Sequence, residues 1–197
     1  MPVPMIMKVI EVRIIGGKNK GRKLLVPQGS LIRPTSDRIR ESIFNILDSY
    51  LKGGFSGKVV ADLFSGTGAL GLEALSRGAK SAILVDKQSD AINLIKQNAE
   101  KLEEEENVFL LKRDATRIGP LPNGCFSANI AFLDPPYGQD MISTTLKALI
   151  DNNWLASDAL CVIEMSLKEN FNCFTEFKKI DKRRYGKTVI YIVKFNK

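Results

Sequence analysis

From residue 58 onward the chain alternates short unbroken apolar runs with stretches whose apolar residues recur every three or four positions. Residues 59–64 form the clearest of these runs and read as a strand buried on both faces. The pattern then predicts a helix over 69–76, a strand over 81–85, a helix from 89 to about 101, and a strand over 108–111. A strand over 130–133, a helix over 141–150 and a strand over 160–164 follow. The acidic run 103–106 reads as a solvated helix end. Residues 177–180 and 189–195 are two strands joined by a short basic turn containing Gly186, an antiparallel hairpin that closes the sheet. Such an alternation predicts a doubly wound α/β sheet, mostly parallel, with right-handed crossovers.

The N-terminal quarter has a different pattern. Residues 12–15 and 23–26 are β-prone and flank Gly16-Gly17-Lys18-Asn19-Lys20-Gly21, which predicts a basic hairpin with a tight turn. Thr35-Ser36-Asp37 offers helix-capping side chains ahead of an apolar stripe at Ile39, Ile43, Ile46, Leu47 and Tyr50, with Arg38, Arg40 and Glu41 on the opposite face. The expected organisation is a basic extension over 1–54 (disordered start, hairpin and helix) packed on a single domain over 55–197. The first twelve residues suggest no role.

Charge sharpens this division. Residues 1–40 carry nine Lys and Arg against Glu11 and Asp37, whereas residues 41–197 carry equal numbers of acids and bases. The whole net charge of +7 therefore lies in the N-terminal fifth, which points to an arm that neutralises phosphates. A second cluster, Lys178, Lys179, Lys182, Arg183, Arg184 and Lys187, is locally offset by Glu176 and Asp181. The chain contains no histidine, which excludes Ser-His and Cys-His nucleophile pairs and the most common metal ligand. Cys125, Cys161 and Cys173 are too scattered for a zinc site or a disulfide framework and read as small buried hydrophobes of a cytoplasmic protein. Apolar runs fall far short of the roughly 20 residues that span a bilayer. A monomer without metal or membrane attachment is expected.

Two motifs carry chemistry. Asp62-Leu63-Phe64-Ser65-Gly66-Thr67-Gly68-Ala69-Leu70-Gly71 runs from the first sheet strand into a helix, and Asp86 ends the next strand. The glycine spacing alone also fits a dinucleotide loop. However, the carboxylate of Asp62 at the strand tip would repel a pyrophosphate and attract a ligand bearing an ammonium and a sulfonium, which favours S-adenosylmethionine over a nicotinamide cofactor. Asp114-Ala115 at the end of the third strand is placed to bound an adenine pocket.

The second motif, Asp134-Pro135-Pro136-Tyr137-Gly138, follows the strand predicted over 130–133. Prolines can simply terminate a strand, but an exocyclic base amine gives these particular residues a purpose. Its lone pair is delocalised into the ring. Accepting hydrogen bonds from both N–H groups, at the Asp134 carboxylate and the Pro135 carbonyl, favours the pyramidal amine that attacks a sulfonium methyl. Tyr137 can stack on the base. Orientation and transition-state hydrogen bonding are enough without a strong base, and the base must be unpaired or flipped to arrive.

Together these residues resemble amino-methyltransferases of nucleic acids. The flanking segments Arg13-Ile14-Ile15-Gly16-Gly17, Gly21-Arg22-Lys23-Leu24, Arg33-Pro34-Thr35-Ser36-Asp37-Arg38-Ile39-Arg40-Glu41, Phe44-Asn45 and 68–79 closely resemble the RsmD family over about residues 13–195. The resemblance implies a Rossmann-like class I methyltransferase that modifies N2 of a guanine in 16S ribosomal RNA, the guanine-966 type of activity, within a small-subunit assembly particle. It implies that Asp62, Phe64, Gly66 and Gly68 hold the methionine part of the donor, Asp86 the ribose, and Asp114 with Ala115 the adenine end. Asp134, Pro135, Pro136 and Tyr137 would carry the transfer. Arg13, Lys18, Lys20, Arg22, Lys23, Arg33, Thr35, Arg38 and Arg40 would approach the RNA. Many relatives carry Glu at the position of Asp86. The catalytic motif itself reads an amine and not a sugar, so DNA adenine-N6 methylation is the nearest alternative. A non-catalytic RNA-binding module is the alternative from another class.

Overall fold

A computed structural model describes residues 11–27, 36–136, 141–169 and 171–197. Two short strands, β1 (Val12–Arg13) and β2 (Lys23–Leu24), form the N-terminal hairpin, and helix α1 (Asp37–Tyr50) follows. The sheet is built from β3 (Val59–Asp62), β4 (Ser81–Asp86), β5 (Val108–Lys112), β6 (Ala128–Leu133), β7 (Leu155–Ser166), β8 (Phe177–Tyr185) and β9 (Thr188–Phe195). Helices α2 (Ala69–Ser76), α3 (Ser89–Leu102) and α4 (Met141–Asp151) connect the parallel strands. Strand order is β5-β4-β3-β6-β7-β9-β8, parallel throughout except for β9, which runs antiparallel to both neighbours.

The apolar runs explain this layering. All four residues of β3 and the first five of β4 are buried, because helices cover both faces of the sheet. One face packs on α1 through Ile43, Phe44 and Leu47, and on α2 and α3 through Leu72, Leu75, Ile95 and Leu102. The other packs on α4 through Ile142, Leu146 and Leu149, with Trp154 at its floor donating from Nε1 to the Gly119 carbonyl at 2.7 Å. Strand order reverses on either side of β3, so a crevice opens between the carboxyl ends of β3 and β6, where ligands of such sheets bind.

Helix α1 departs from its expected stripe. Ser36 caps it, accepting from the Ile39 N–H at 3.4 Å. Its buried face is Arg40, Ile43, Phe44 and Leu47, whereas Tyr50 is exposed. Phe44 rests against Phe55 and Phe132, with ring centroids 5.3 and 5.7 Å apart, and the Arg77 guanidinium covers its other side. Arg40 is 1 % exposed, and its Nη2 donates to the Arg13 carbonyl at 2.7 Å and to Asp37 Oδ1 at 2.6 Å. Burial lowers its pKa from the ordinary arginine value. Polarity alone had placed Arg40 on the solvent side.

The acidic run after α3 also differs from expectation. Glu104 is buried, accepting from Lys18 Nζ at 2.9 Å, Asn19 Nδ2 at 3.2 Å and Asn107 Nδ2 at 2.9 Å. It clasps the hairpin turn to the end of α3. Glu104→Ala, which leaves the buried Asn19 amide short of an acceptor, is expected to cost about 1–3 kcal/mol of stability. Hydrogen exchange at the amides of residues 18–21 should accelerate more than exchange in β3. Equal acceleration everywhere would show that the clasp has no local role. Of the cysteines only Cys161 is fully buried; Cys125 and Cys173 are half-buried.

Candidate active site

Register places the two motifs side by side. Asp62 pairs with Leu84 on one side and Phe132 on the other, and the Leu63 N–H donates to the Phe132 carbonyl at 3.1 Å. Asp86 and Asp134 therefore stand two residues beyond the level of Asp62 on the neighbouring strands. Asp86 pairs with Lys112 on β5, so Asp114 lies two residues further out again. Four carboxylates thus line the carboxyl edge of the sheet in the spatial order Asp134, Asp62, Asp86, Asp114, at strand spacings of about 4.8 Å.

Each is held differently. Asp62 is 2 % exposed, its Oδ2 accepts from the Gly71 N–H at 3.2 Å, and it has no ion-pair partner among the described residues. Burial raises its pKa to about 7, and the nearby Asp86 pushes in the same direction. A buried carboxylate short of a cation is suited to a positively charged ligand group. Asp86 braces the glycine loop, with Oδ2 accepting from the Gly66 N–H at 3.0 Å and Oδ1 from the Gln88 N–H at 2.9 Å. Asp114 is exposed, and hydrogen bonds from the Thr116 hydroxyl and N–H, at 2.7 and 2.9 Å, hold its pKa below the ordinary carboxylate value. Ala115 is buried beside it, and Phe64 is half-buried against the core on the α4 side.

The glycines serve separate purposes. Gly66 has φ +53° with open space above it, so a ligand can approach the backbone closely. Gly71 is a packing residue: a Cβ there would lie 2.1 Å from Leu84 Cδ2. The loop is also tied from outside. Asn98 of α3 donates from Nδ2 to the carbonyls of Thr67 and Leu25, and its Oδ1 accepts from the Leu25 N–H.

Across the crevice, Asp134 is half-buried, Pro135 buried and Pro136 exposed. Tyr137 lies outside the described residues, as do Arg33 and Thr35. Sequence reasoning assigned no role to Glu164. It is 7 % exposed, and the pairing of Leu133 with Ile163 aligns it with Asp134 on the same face. The available signal was a charged residue ending an otherwise apolar strand.

The cations expected to meet RNA are scattered. Arg40 is buried and bonded internally, so it cannot contact a solvent-borne ligand; this corrects the expectation. Arg13, Lys18, Arg22 and Lys23 are ion-paired with Asp37, Glu104, Glu103 and Glu11. Lys20 and Arg38 are exposed and form no ion pair among the described residues. The hairpin turn also sits far from the crevice. The Lys18 N–H donates to the Ser76 carbonyl and Asn19 Nδ2 to the Leu102 carbonyl, at the distal ends of α2 and α3.

Comparison with known proteins agrees with this geometry. The family described as conserved hypothetical protein 95 matches residues 12–194. The chain belongs to this family, that of RsmD. The ribosomal RNA small subunit methyltransferase D of Escherichia coli is 38 % identical over 165 residues, covering 80 % of this chain and 76 % of that one. A candidate rRNA methyltransferase of Bacillus subtilis is 37 % identical over 153 residues, covering 77 % and 81 %. The solved structure of a candidate methyltransferase of Escherichia coli superposes with a TM-score of 0.81 at 30 % identity, covering 94 % of this chain and 98 % of that one. The fold is the Rossmann-like class I methyltransferase fold, and this RsmD-family member carries both of its strand-end motifs.

Proposed function

We propose that this protein transfers a methyl group from S-adenosylmethionine to the N2 amine of a guanine in 16S ribosomal RNA of the small subunit. The row of carboxylates carries the reading: the glycine loop and the Asp-Pro-Pro segment end adjacent strands, so a donor lying over Asp62, Asp86 and Asp114 brings its reactive end toward Asp134. The Asp62 carboxylate, with no ion-pair partner among the described residues, and the open space at Gly66 fit a donor with a cationic methionine part. The carboxylate would repel a pyrophosphate. The names of the relatives support ribosomal RNA as substrate, and the guanine assignment rests on the family resemblance.

When bound, the donor supplies an electrophilic methyl group on sulfur. The chain supplies everything else. Asp134 and the Pro135 carbonyl accept the two N–H groups of the target amine and direct its lone pair along the edge toward the donor loop. Tyr137 is assigned the stacking role. Asp86 keeps the glycine loop in place through its two backbone hydrogen bonds, and buried Pro135 fixes its own carbonyl. With no histidine in the chain, orientation and hydrogen bonding do the catalytic work.

The test is methyl transfer from labelled donor to small subunits from cells lacking this gene, with the product nucleotide mapped by mass spectrometry. N2-methylguanine at one position in 16S RNA is the expected product. Label in duplex DNA with none in ribosomal RNA would overturn the assignment. Binding of the donor should also raise the melting temperature, as any ligand selective for the folded state does. An unchanged melting temperature at saturating donor would favour a non-catalytic module.

A further inference from the structure

Proceeding from an RNA substrate, we propose that its phosphates are carried by the outer strand β8 together with the first turn of α1, and not by the turn of the N-terminal hairpin. Three observations converge on this surface.

The first is charge availability. Strand β8 and the turn after it expose Lys178, Lys179, Lys182, Arg183, Arg184 and Lys187, and only Arg183 has an acidic partner among the described residues, Asp181. Lys179 donates to the Phe171 carbonyl, Lys182 lies over the Tyr191 ring and Arg184 donates to the Gly186 carbonyl, so none of these three is neutralised. In the hairpin the situation is reversed: Arg13, Lys18, Arg22 and Lys23 all have acidic partners. An unpaired cation gains the full benefit of a phosphate and of the counterions it releases, whereas a paired one must first give up its partner.

The second is direction. The turn between β8 and β9 stands at the catalytic end of the sheet, because Ser166 pairs with Thr188 and the Leu167 N–H donates to the Lys187 carbonyl at 2.8 Å. Ser166 lies two residues beyond Glu164, which is aligned with Asp134. Three strand spacings separate β6 from β8, about 14 Å. The hairpin turn is at the other end of α2, whose eight residues span about 12 Å. A strand of RNA with one base at Asp134 meets the β8–β9 turn at the same end of the sheet, whereas Lys18 stands at the opposite end.

The third is shape. Helix α1 runs antiparallel to β8: Ser42 Oγ hydrogen-bonds the Tyr185 hydroxyl near the catalytic end, and Tyr50 donates to the Ile180 carbonyl at 3.3 Å near the other. A groove of about 540 Å³ lies between them. Asn45, Ser49 and Tyr50 line its α1 wall, and Arg38 and Arg183 contribute the cations. Glu41 and Asp181 balance those two, so the groove itself is neutral and hydrogen-bonding. Lys182 and Arg184, level with Tyr191 and Val189, stand on the other face of the same edge strand. A nucleic-acid strand that follows this open edge can set phosphates on the outer cations of β8 and sugars or bases over the amides, hydroxyls and exposed tyrosine of the groove. Lysines on an edge strand also deter strand-to-strand association, but that purpose does not require an adjoining polar groove.

The test compares two variants of the full-length protein. K182Q/R184Q/K187Q removes three charges from this rim of the sheet, and K20Q/K23Q removes two exposed hairpin charges. Binding of small-subunit RNA is measured across a salt series, with methyl transfer, donor affinity and melting temperature alongside. For the rim variant, the log–log salt slope should become shallower by about 2, at roughly 0.7 per single-strand phosphate contact, and KM for RNA should rise about tenfold or more at low salt. Its donor affinity and melting temperature should stay at wild-type values. The hairpin variant should keep the wild-type slope. A reversed pattern, or a rim variant with unchanged slope and KM, overturns the proposal. Failure of the RNA reading itself is distinguishable, because the unaltered protein would then transfer no methyl group to RNA.

Discussion

Asp134→Ala should bind the donor as tightly as the wild type and lose methyl transfer by about 10²–10³ in kcat, as expected when one hydrogen-bonding group aimed at the transition state is removed. The separation of the two effects follows from geometry. Asp134 ends β6, while the groups facing the donor loop end β3, β4 and β5. Single-turnover transfer measures the first quantity and calorimetric titration with the donor the second. Asp134→Asn should fall between, because its amide oxygen can still accept one N–H while its NH₂ repels the other. Equal losses in donor affinity and kcat would mean that Asp134 shapes the donor pocket, and the division of labour along the edge would be wrong.

Asp62→Asn should change two properties in opposite directions. The folded protein holds the Asp62 proton up to about pH 7, whereas the unfolded chain releases it near the ordinary value of 3.8. Between those values the folded state binds more protons, so the stability of the ligand-free protein declines as pH rises and levels off above about 7. An asparagine removes that decline. At pH 8 the variant should therefore be more stable than the wild type, on the order of a few kcal/mol, with a melting temperature several degrees higher. Donor affinity should fall at least tenfold, because the carboxylate no longer meets a cationic group. Thermal melts at pH 5 and pH 8 combined with donor titration decide the matter. A variant less stable than wild type at pH 8 would show that the Gly71 contact outweighs desolvation.

Much of this architecture was legible because burial on both faces leaves an unbroken apolar signature. Strands β3, β4 and β6 have that signature, and the candidate site acids Asp62, Asp86 and Asp134 end or directly follow them. What escaped the pattern did so for identifiable reasons. Strand β8 extends to Tyr185, but an edge strand is covered incompletely, its side chains are largely charged, and an irregularity between Lys179 and Asp181 interrupts its alternation. Arg40 looked solvent-facing, since nothing in a local window announces that the Arg13 carbonyl, 27 positions earlier, will receive its guanidinium. Glu104 was read with three neighbouring glutamates as a solvated run, although it alone turns inward to Lys18 and Asn19. Glu164 required the register of β6 against β7, which only the folded sheet reveals. Composition located the basic N-terminal fifth but not the acidic partners of Arg13, Lys18, Arg22 and Lys23, which lie up to 86 positions away in sequence.

Placing β3 between β4 and β6 has a consequence for the order in which the molecule is made. The β3–β4 pair joins residues about 22 positions apart, whereas the β3–β6 pair joins Val60 to Ile130, 70 positions apart. Loop closure favours the shorter connection and delays the longer one. During synthesis the glycine turn and its bracing acid can assemble while the downstream half is still emerging. The edge formed by β6 and Asp134 is added only afterwards, so under the proposed function competence to hold the donor precedes competence to act on RNA.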